Sequence, residues 1–330
     1  MLTRLRFLSA GESHGPCLTG VLDGLPAGLR LYPSAIDEQL QRRQTGFGAG
    51  ARMLIESDRV RLSGGWMGGK TTGGPLAFEV ANRDFENWKE RDILPMMIPR
   101  PGHADLTGAI KFGHRDLRLA LERASARETA VRVVAGAACR QLLAEFGIEL
   151  GGYVTSIGGV HVTLDSEASA QEHRRRATAA LQNDLACPDE PALDSMRTTI
   201  GACKKQGDTL GGTFVVFALG VPPGLGSYTQ WDRRLHARIA MALMSIQAVK
   251  GVEIGPAFDN AALPGSQVHD EILRDDQGNL HRATNRAGGF EGGVTTGSPI
   301  VARVAKKPIS TTLEPRRSVH LGTGAPASTV

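Results

Sequence analysis

The stretch Gly64-Gly65-Trp66-Met67-Gly68-Gly69-Lys70-Thr71-Thr72-Gly73-Gly74-Pro75-Leu76 returns late in the chain as Gly288-Gly289-Phe290-Glu291-Gly292-Gly293-Val294-Thr295-Thr296-Gly297-Ser298-Pro299-Ile300. Each copy runs into an apolar segment of strand character, Ala77-Phe78-Glu79-Val80 in the first and Val301-Ala302-Arg303-Val304 in the second. A second matched pair lies upstream in the same order: Gly24-Leu25-Pro26-Ala27-Gly28-Leu29 and Gly220-Val221-Pro222-Pro223-Gly224-Leu225. Each of these precedes a predicted helix, with start signals at Ser34 in one copy and at Thr229 with Asp232 in the other. Ordered, paired matches predict a duplicated strand-loop-helix-loop-strand unit with pseudo-twofold symmetry. A period this long excludes a solenoid. The expected organisation is one domain over 1–330, with halves at about 1–147 and 206–330 and an insertion between them.

In the insertion and its flanks, Leu117, Ala120, Leu121 and Ala124 share a helical face. The pattern resumes at Val131, Val134, Ala138 and Leu142 and stops at Gly147, a residue suited to follow a helix end. Residues 150–162 read as a strand with a Gly-Gly turn and 209–219 as another strand. Residues 166–181 and 193–205 read as surface helices. Residues 231–246 read as an amphipathic helix with Ile239, Ala242, Leu243 and Ile246 inward. Long apolar alternations without regular βαβ spacing predict an α+β fold of antiparallel sheets with helices outside. No GxGxxG follows a predicted strand, which argues against a dinucleotide-binding Rossmann site.

Lys+Arg 38 against Asp+Glu 34 leaves a net charge of +4, too weak to point to nucleic acid. The arginines are clustered, at Arg42, Arg43 and Arg52 and again at Arg115, Arg118, Arg123, Arg127 and Arg132. Clustered guanidinium beside glycine-rich loops suits a small anionic ligand. Arg174-Arg175-Arg176 reads as a solvated helix face. The four cysteines, Cys17, Cys139, Cys187 and Cys203, form no CxxC and read as reduced thiols, with no metal site implied. A strand begins within a few residues of Met1, so no signal peptide is expected, and no apolar run has membrane-spanning length. The expected location is the cytoplasm.

Four segments carry chemistry. Gly11-Glu12-Ser13-His14-Gly15-Pro16 follows a predicted strand, and its histidine suits proton transfer near neutral pH, although such turns also hold purely structural histidines. Pro99-Arg100-Pro101-Gly102-His103-Ala104-Asp105 stiffens a loop around a second histidine, with the same two readings open. Glu122-Arg123-Ala124-Ser125-Ala126-Arg127-Glu128, read as helix, projects Arg123 and Arg127 together, either toward a ligand or onto Glu122 and Glu128. Lys307-Pro308-Ile309-Ser310-Thr311 offers an ammonium and two hydroxyls to a phosphate, although lysine-proline turns are common.

In chain order, GESHGP, RRQTG, PRPGHADL, ERASARE, QGDTLGG, GLGSYTQWD, KGVEIG, GGFEGGVTTGSPI and KPIST resemble the chorismate synthase family, from Leu5 to about Ser318. The resemblance implies a βαβ sandwich with pseudo-twofold symmetry, assembled as a homotetramer. It implies an anti-1,4-elimination of phosphate from 5-enolpyruvylshikimate 3-phosphate, giving chorismate in the shikimate pathway of aromatic amino-acid biosynthesis. Reduced FMN is required although there is no net redox change, with NADPH as indirect reductant through a separate flavin reductase. The flavin is thought to lend an electron transiently and to take part in removing the ring proton.

By the same resemblance, His14 is the acid that assists phosphate departure and His103 protonates reduced flavin. Arg43 is expected at the substrate, together with Arg52 and Arg127. Arg123, Ala124, Ser125, Gln247, Ala248, Gly292, Lys307, Pro308, Ile309, Ser310 and Thr311 are expected at the flavin. This chain departs from the family pattern at Ala49, where an arginine is usual and where Arg52 stands close enough to compensate, and at Gln247, where asparagine is common. The family pattern also runs on into an Arg-Ser/His-Asp motif and a closing helix that residues 1–330 do not contain. One alternative is a family member that, lacking that motif, binds or assembles without turnover; a separate one is a different flavin enzyme such as an NADPH-dependent reductase.

Overall fold

A computed structural model describes residues 4–47, 55–164 and 168–329. The chain forms two compact units. The first comprises Met1–Leu142, Lys204–Thr209 and Ile309–Val330, and the second Leu143–Cys203 and Leu210–Pro308.

In the first unit, strands β1 (Arg6–Ala10), β2 (Cys17–Asp23), β3 (Val60–Gly64) and β4 (Leu76–Ala81) make an antiparallel sheet of order β1-β2-β4-β3. Alternation in Cys17-Leu18-Thr19-Gly20-Val21-Leu22 and Leu76-Ala77-Phe78-Glu79-Val80 sends Leu18, Leu22, Leu76, Phe78 and Val80 to one buried side. Helix α1 (Pro33–Gln44) adds Ile36 and Leu40 to that core. Further along come α2 (Asp105–Phe112), α3 (Arg118–Ala124) and α4 (Thr129–Ala144), the last adding Val131, Val134 and Ala138. Each large apolar side chain so buried contributes about 1.5–3 kcal/mol.

In the second unit, β5 (Glu149–Ile157), β6 (Gly212–Leu219), β7 (Val249–Ile254) and β8 (Ile300–Lys306) form an antiparallel sheet of order β7-β8-β6-β5, with the short strand Val160–His161 added beyond β5. Helix α5 (Ala170–Ala180) packs on Tyr153, Val215 and Phe217. Helix α6 (Glu190–Lys205) covers Val154 and Ile157. Helix α7 (Leu235–Met244) sets Leu235 and Ile239 against Ala218, Phe290 and Ile300. The α+β class and the antiparallel sheets match the expectation.

The sequence repeat is also a repeat of local structure. In each copy two dipeptide strands close a hairpin, Trp66–Met67 with Lys70–Thr71 and Phe290–Glu291 with Val294–Thr295. The Thr71 hydroxyl accepts the Leu29 N–H at 3.0 Å and donates to the Pro26 carbonyl at 2.5 Å. The Thr295 hydroxyl accepts from Leu225 at 2.8 Å and donates to Pro222 at 2.7 Å. Strand order corresponds too, β1-β2-β4-β3 in one unit and β5-β6-β8-β7 in the other. Gly65 and Gly289 head the hairpins at φ +72° and +87°, and a Cβ would come within 2.3 Å of the Pro75 carbonyl oxygen and 2.6 Å of the Pro299 carbonyl oxygen. Gly65→Ala and Gly289→Ala should each destabilise by about 1–3 kcal/mol or more, by backbone strain and overlap together. Chemical denaturation of the two variants checks this, and an unchanged midpoint in either would contradict it.

Several local expectations change. Neither repeat helix is capped by its predicted residue: α1 starts after Tyr32 with Pro33 in its first turn, and α7 starts after Arg234. Residues 231–233 are a separate 3-10 turn, and no residue of α7 is fully buried, although Ile239 packs as expected. The helix read through 122–128 breaks at Ser125, whose ψ of 143° is extended, and its hydroxyl accepts the Arg127 N–H to open a new turn. Arg174 and Arg175 are exposed, but Arg176 is buried, held to Glu172 at 2.7 Å one helical turn away and lying over the Tyr153 ring. Among the described residues no helix is long and apolar enough to cross a membrane.

Candidate active site

His14 lies in the turn between β1 and β2. Its backbone N–H donates to Glu122 Oε2 at 2.7 Å, and its ring Nδ1 lies 2.7 Å from Glu122 Oε1. Burial pushes the Glu122 carboxyl up, but the hydrogen bonds from the His14 ring and backbone, reinforced by the charges of His14 and Arg118, hold it below the usual carboxylate range. An ionised carboxylate only accepts, so Nδ1 carries the proton and Nε2 faces the other way. Asp84 Oδ2 lies 3.9 Å from Nε2 and accepts the Trp88 indole N–H at 3.2 Å. The Trp88 and His14 rings stand 4.3 Å apart. About a quarter of the His14 side chain remains exposed.

His103 precedes α2. Its Nδ1 donates to Asp105, whose side chain is fully buried and also accepts from Arg100 Nε at 2.9 Å and Nη2 at 3.1 Å. Burial raises the Asp105 carboxyl, yet His103 and Arg100 together drive it far below its ordinary value. The loop is braced from the far end of the sequence. Arg100 Nη1 donates to Thr311 Oγ1 at 2.8 Å, Ser310 Oγ to the Gly102 carbonyl at 3.1 Å, and Ser318 Oγ to the Pro99 carbonyl at 2.6 Å. Helices α2 and α3 pack together where Gly108 meets Ala120. The two histidines are thus held by adjoining helices of one unit, each with Nδ1 engaged by a carboxylate.

The arginines divide. Arg127 is buried: its Nη1 meets both oxygens of Asp58 at 2.7 and 2.8 Å, its Nε donates to Asn82 at 2.7 Å, and its Nη2 to the Ala81 carbonyl at 3.0 Å. Asp58 also accepts from Arg43 Nη1 at 3.2 Å, and Arg43 Nε donates to Thr129. Asn82 donates in turn to the carbonyls of Glu12 and Gly15, on either side of His14. Because of the break at Ser125, Arg123 and Arg127 do not project together. Arg123 stays exposed and donates to the Ser9 carbonyl and hydroxyl at 2.8 and 2.7 Å. Ser125 and Ala124 are half-buried, and the Ser125 hydroxyl bonds Ser13 at 3.1 Å. Arg52 and Ala49 lie outside the described residues.

In the second unit, Gln247, Ala248, Lys307 and Pro308 cluster at paired strand ends. The Lys307 N–H donates to the Ala248 carbonyl at 2.9 Å, and Ala248 is held at φ +68°. Such a backbone costs a residue with a β-carbon about 1–3 kcal/mol and concentrates at ligand sites. Gly292 sits at φ +58° in the second hairpin. Motif reading missed Asp58, Asn82, Asp84 and Trp88 and gave Glu122 to the arginines. These are single residues on separate elements, Asp58 and Asn82 in loops, Asp84 in a 3-10 turn and Glu122 on α3, and only a three-dimensional arrangement gives them meaning.

The chorismate synthase family model matches residues 5–330. The chain belongs to the chorismate synthase family. It is 52% identical over 326 residues to the chorismate synthase of Desulforudis audaxviator, covering 96% of this chain and 83% of that protein. It is 50% identical to that of Aquifex aeolicus, covering 98% and 84%. A crystal structure of a chorismate synthase superposes with a TM-score of 0.82 at 46% identity, covering 94% of this chain and 85% of the other. This is a family of lyases, and its place is in aromatic amino-acid biosynthesis by the shikimate pathway. The GESHGP and PRPGHADL segments that carried the resemblance are the ones that bear His14 and His103.

Proposed function

We propose that this chain eliminates phosphate from 5-enolpyruvylshikimate 3-phosphate in the anti-1,4 sense to give chorismate, with reduced FMN beside the substrate. The observation that carries the reading is the matched pair of histidines, each with Nδ1–H engaged by a carboxylate. Each thereby keeps Nε2 for proton exchange at a partly exposed position. His14 delivers a proton to the departing phosphate, and His103 serves the flavin. Arg43, anchored on Asp58, meets the substrate's negative charge, and Arg52, outside the described residues, belongs to the same reading. Arg127 acts from behind, holding Asp58 and, through Asn82, the turn that presents His14. Preorganised cations stabilise charge on the leaving group without rearranging as it develops.

Of the residues proposed for FMN, Arg123, Ala124, Ser125, Ile309, Ser310 and Thr311 stand in the first unit and Gln247, Ala248, Gly292, Lys307 and Pro308 in the second. Their chemistry fits: Arg123 and Lys307 supply positive charge for a phosphate, and the left-handed backbone at Ala248 presents main-chain groups at a strained site. Bound reduced FMN would supply reversible electron and proton transfer. NADPH as indirect reductant, a separate reductase, a homotetramer, a cytoplasmic location and a pseudo-twofold scaffold belong to the same reading. The test is an anaerobic assay with photoreduced FMN and 5-enolpyruvylshikimate 3-phosphate. Chorismate absorbance should appear with one phosphate released per chorismate, and its absence with fully reduced flavin would overturn the reading.

A further inference from the structure

Both oxygens of the Glu122 carboxylate serve one residue: Oε2 takes the His14 backbone N–H and Oε1 takes the ring Nδ1–H, each at 2.7 Å. Anchoring the turn needs only the backbone bond. The carboxylate is itself fixed, because it stands on α3 and the Glu122 carbonyl accepts the Ser13 N–H at 3.2 Å. On the other side of the ring, Trp88 limits its tilt and Asp84 stands 3.9 Å from Nε2. Arg91 and Arg118 lie over Trp88 with their guanidinium carbons 5.5 and 5.8 Å from the ring centroid. The charged groups around His14 thus include Glu122 and Asp84, with Arg91 and Arg118 beyond Trp88.

We propose that Glu122 is a positioning residue that fixes His14 as its Nδ1–H tautomer and so makes Nε2 the nitrogen that exchanges protons with the substrate. The proposal rests on the reading of His14 as a proton donor. Its chemistry is asymmetric. His14 presents two donors to Glu122, and a carboxylate meets both. A glutamine at 122 has one oxygen and one NH2, so it meets only one donor. The backbone N–H cannot change, so it keeps the oxygen, and the NH2 then faces Nδ1. The ring satisfies that NH2 only by moving its proton to Nε2. Carboxylates behind reactive histidines set tautomer and orientation in this way in metal sites and in acyl-transfer enzymes.

The experiment uses the full chain with 15N-labelled histidine. Long-range 1H–15N correlation spectra assign the His14 ring, with His14→Gln identifying its signals. In the unsubstituted protein Nδ1 should show the shift of a protonated nitrogen and Nε2 that of an unprotonated one at high pH. In Glu122→Gln the two should exchange. The kcat of Glu122→Gln should fall at least about 100-fold, the scale of a lost general acid, with KM changing less than about threefold. Glu122→Asp, which keeps two acceptors on a shorter arm, should restore the Nδ1–H signal and part of kcat. Retention of Nδ1–H in Glu122→Gln, or a kcat close to that of the unsubstituted chain, would overturn the proposal. The spectra report on the tautomer without turnover, so they stand apart from the test of His14 itself. Full activity in His14→Ala would remove the donor reading, whereas an inactive His14→Ala beside an unexchanged tautomer in Glu122→Gln would remove only this proposal.

Discussion

Replacing His14 with alanine should lower turnover by about 10²–10⁴-fold while leaving the chain folded. Phosphate leaves a substrate that already carries several negative charges, and a proton delivered as the C–O bond breaks removes the charge that would otherwise build on the leaving oxygen. On the proposed reading Nε2 is the ring atom that delivers it, since Nδ1 is held by Glu122. The fold should tolerate the change. The side chain is about a quarter exposed, and Glu122 keeps the backbone N–H of residue 14 as a donor. Initial rates under anaerobic conditions with photoreduced FMN, measured beside a thermal melt, check both halves of the expectation. A variant that melts normally and turns over at the full rate would strip His14 of its role.

The second large effect is on stability. Asp58→Ala should destabilise the protein by about 3–5 kcal/mol, because it removes the carboxylate from a buried ion pair and leaves the cation behind. The Asp58 side chain is fully buried, and Arg127, equally enclosed, directs Nη1 at both of its oxygens. Glu56 at 3.6 Å compensates only in part. The damage should spread, because Arg43 loses the same anchor and Arg127 positions Asn82, which holds the turn around His14. A urea titration followed by circular dichroism should show the midpoint falling well below that of Asp58→Asn, which keeps one acceptor oxygen. Equal midpoints for Asp58→Ala and the unsubstituted chain would show that the cluster is not what holds this region.

What the sequence revealed follows from how locally each feature is encoded. The repeat was legible because its glycines and threonines recur in the same order, but each copy was read as a loop, and the hairpin it closes emerged only from the pairing of Trp66–Met67 with Lys70–Thr71 and of Phe290–Glu291 with Val294–Thr295. Thr71 and Thr295 make the same bond in the two copies. The break at Ser125 was not legible. Residues 118–128 read as one helix, and the Ser125 hydroxyl takes the Arg127 N–H where they divide. That break decides which arginine is exposed. His14 and His103 were found because glycine and proline frame them, a signal readable along the chain. Their carboxylates were not found equally. Asp105 lies two residues from its histidine and was in view, whereas Glu122 lies 108 residues from its own. Asp58 and Asn82 are single polar residues whose role exists only when separate strands and helices bring Arg43 and Arg127 to them.

The braces on the His103 loop come from a distant part of the gene. The bond from Arg100 to Thr311 joins residues 211 apart in sequence. At roughly 5–20 residues per second, a ribosome takes about 10–40 s to travel from one to the other. Throughout that interval the nascent chain has its first histidine turn and most of its first sheet, but not the clasp that seats the second histidine. The seating of His103 is therefore withheld until Thr311 has been made, and a polypeptide terminated before that residue would lack the clasp.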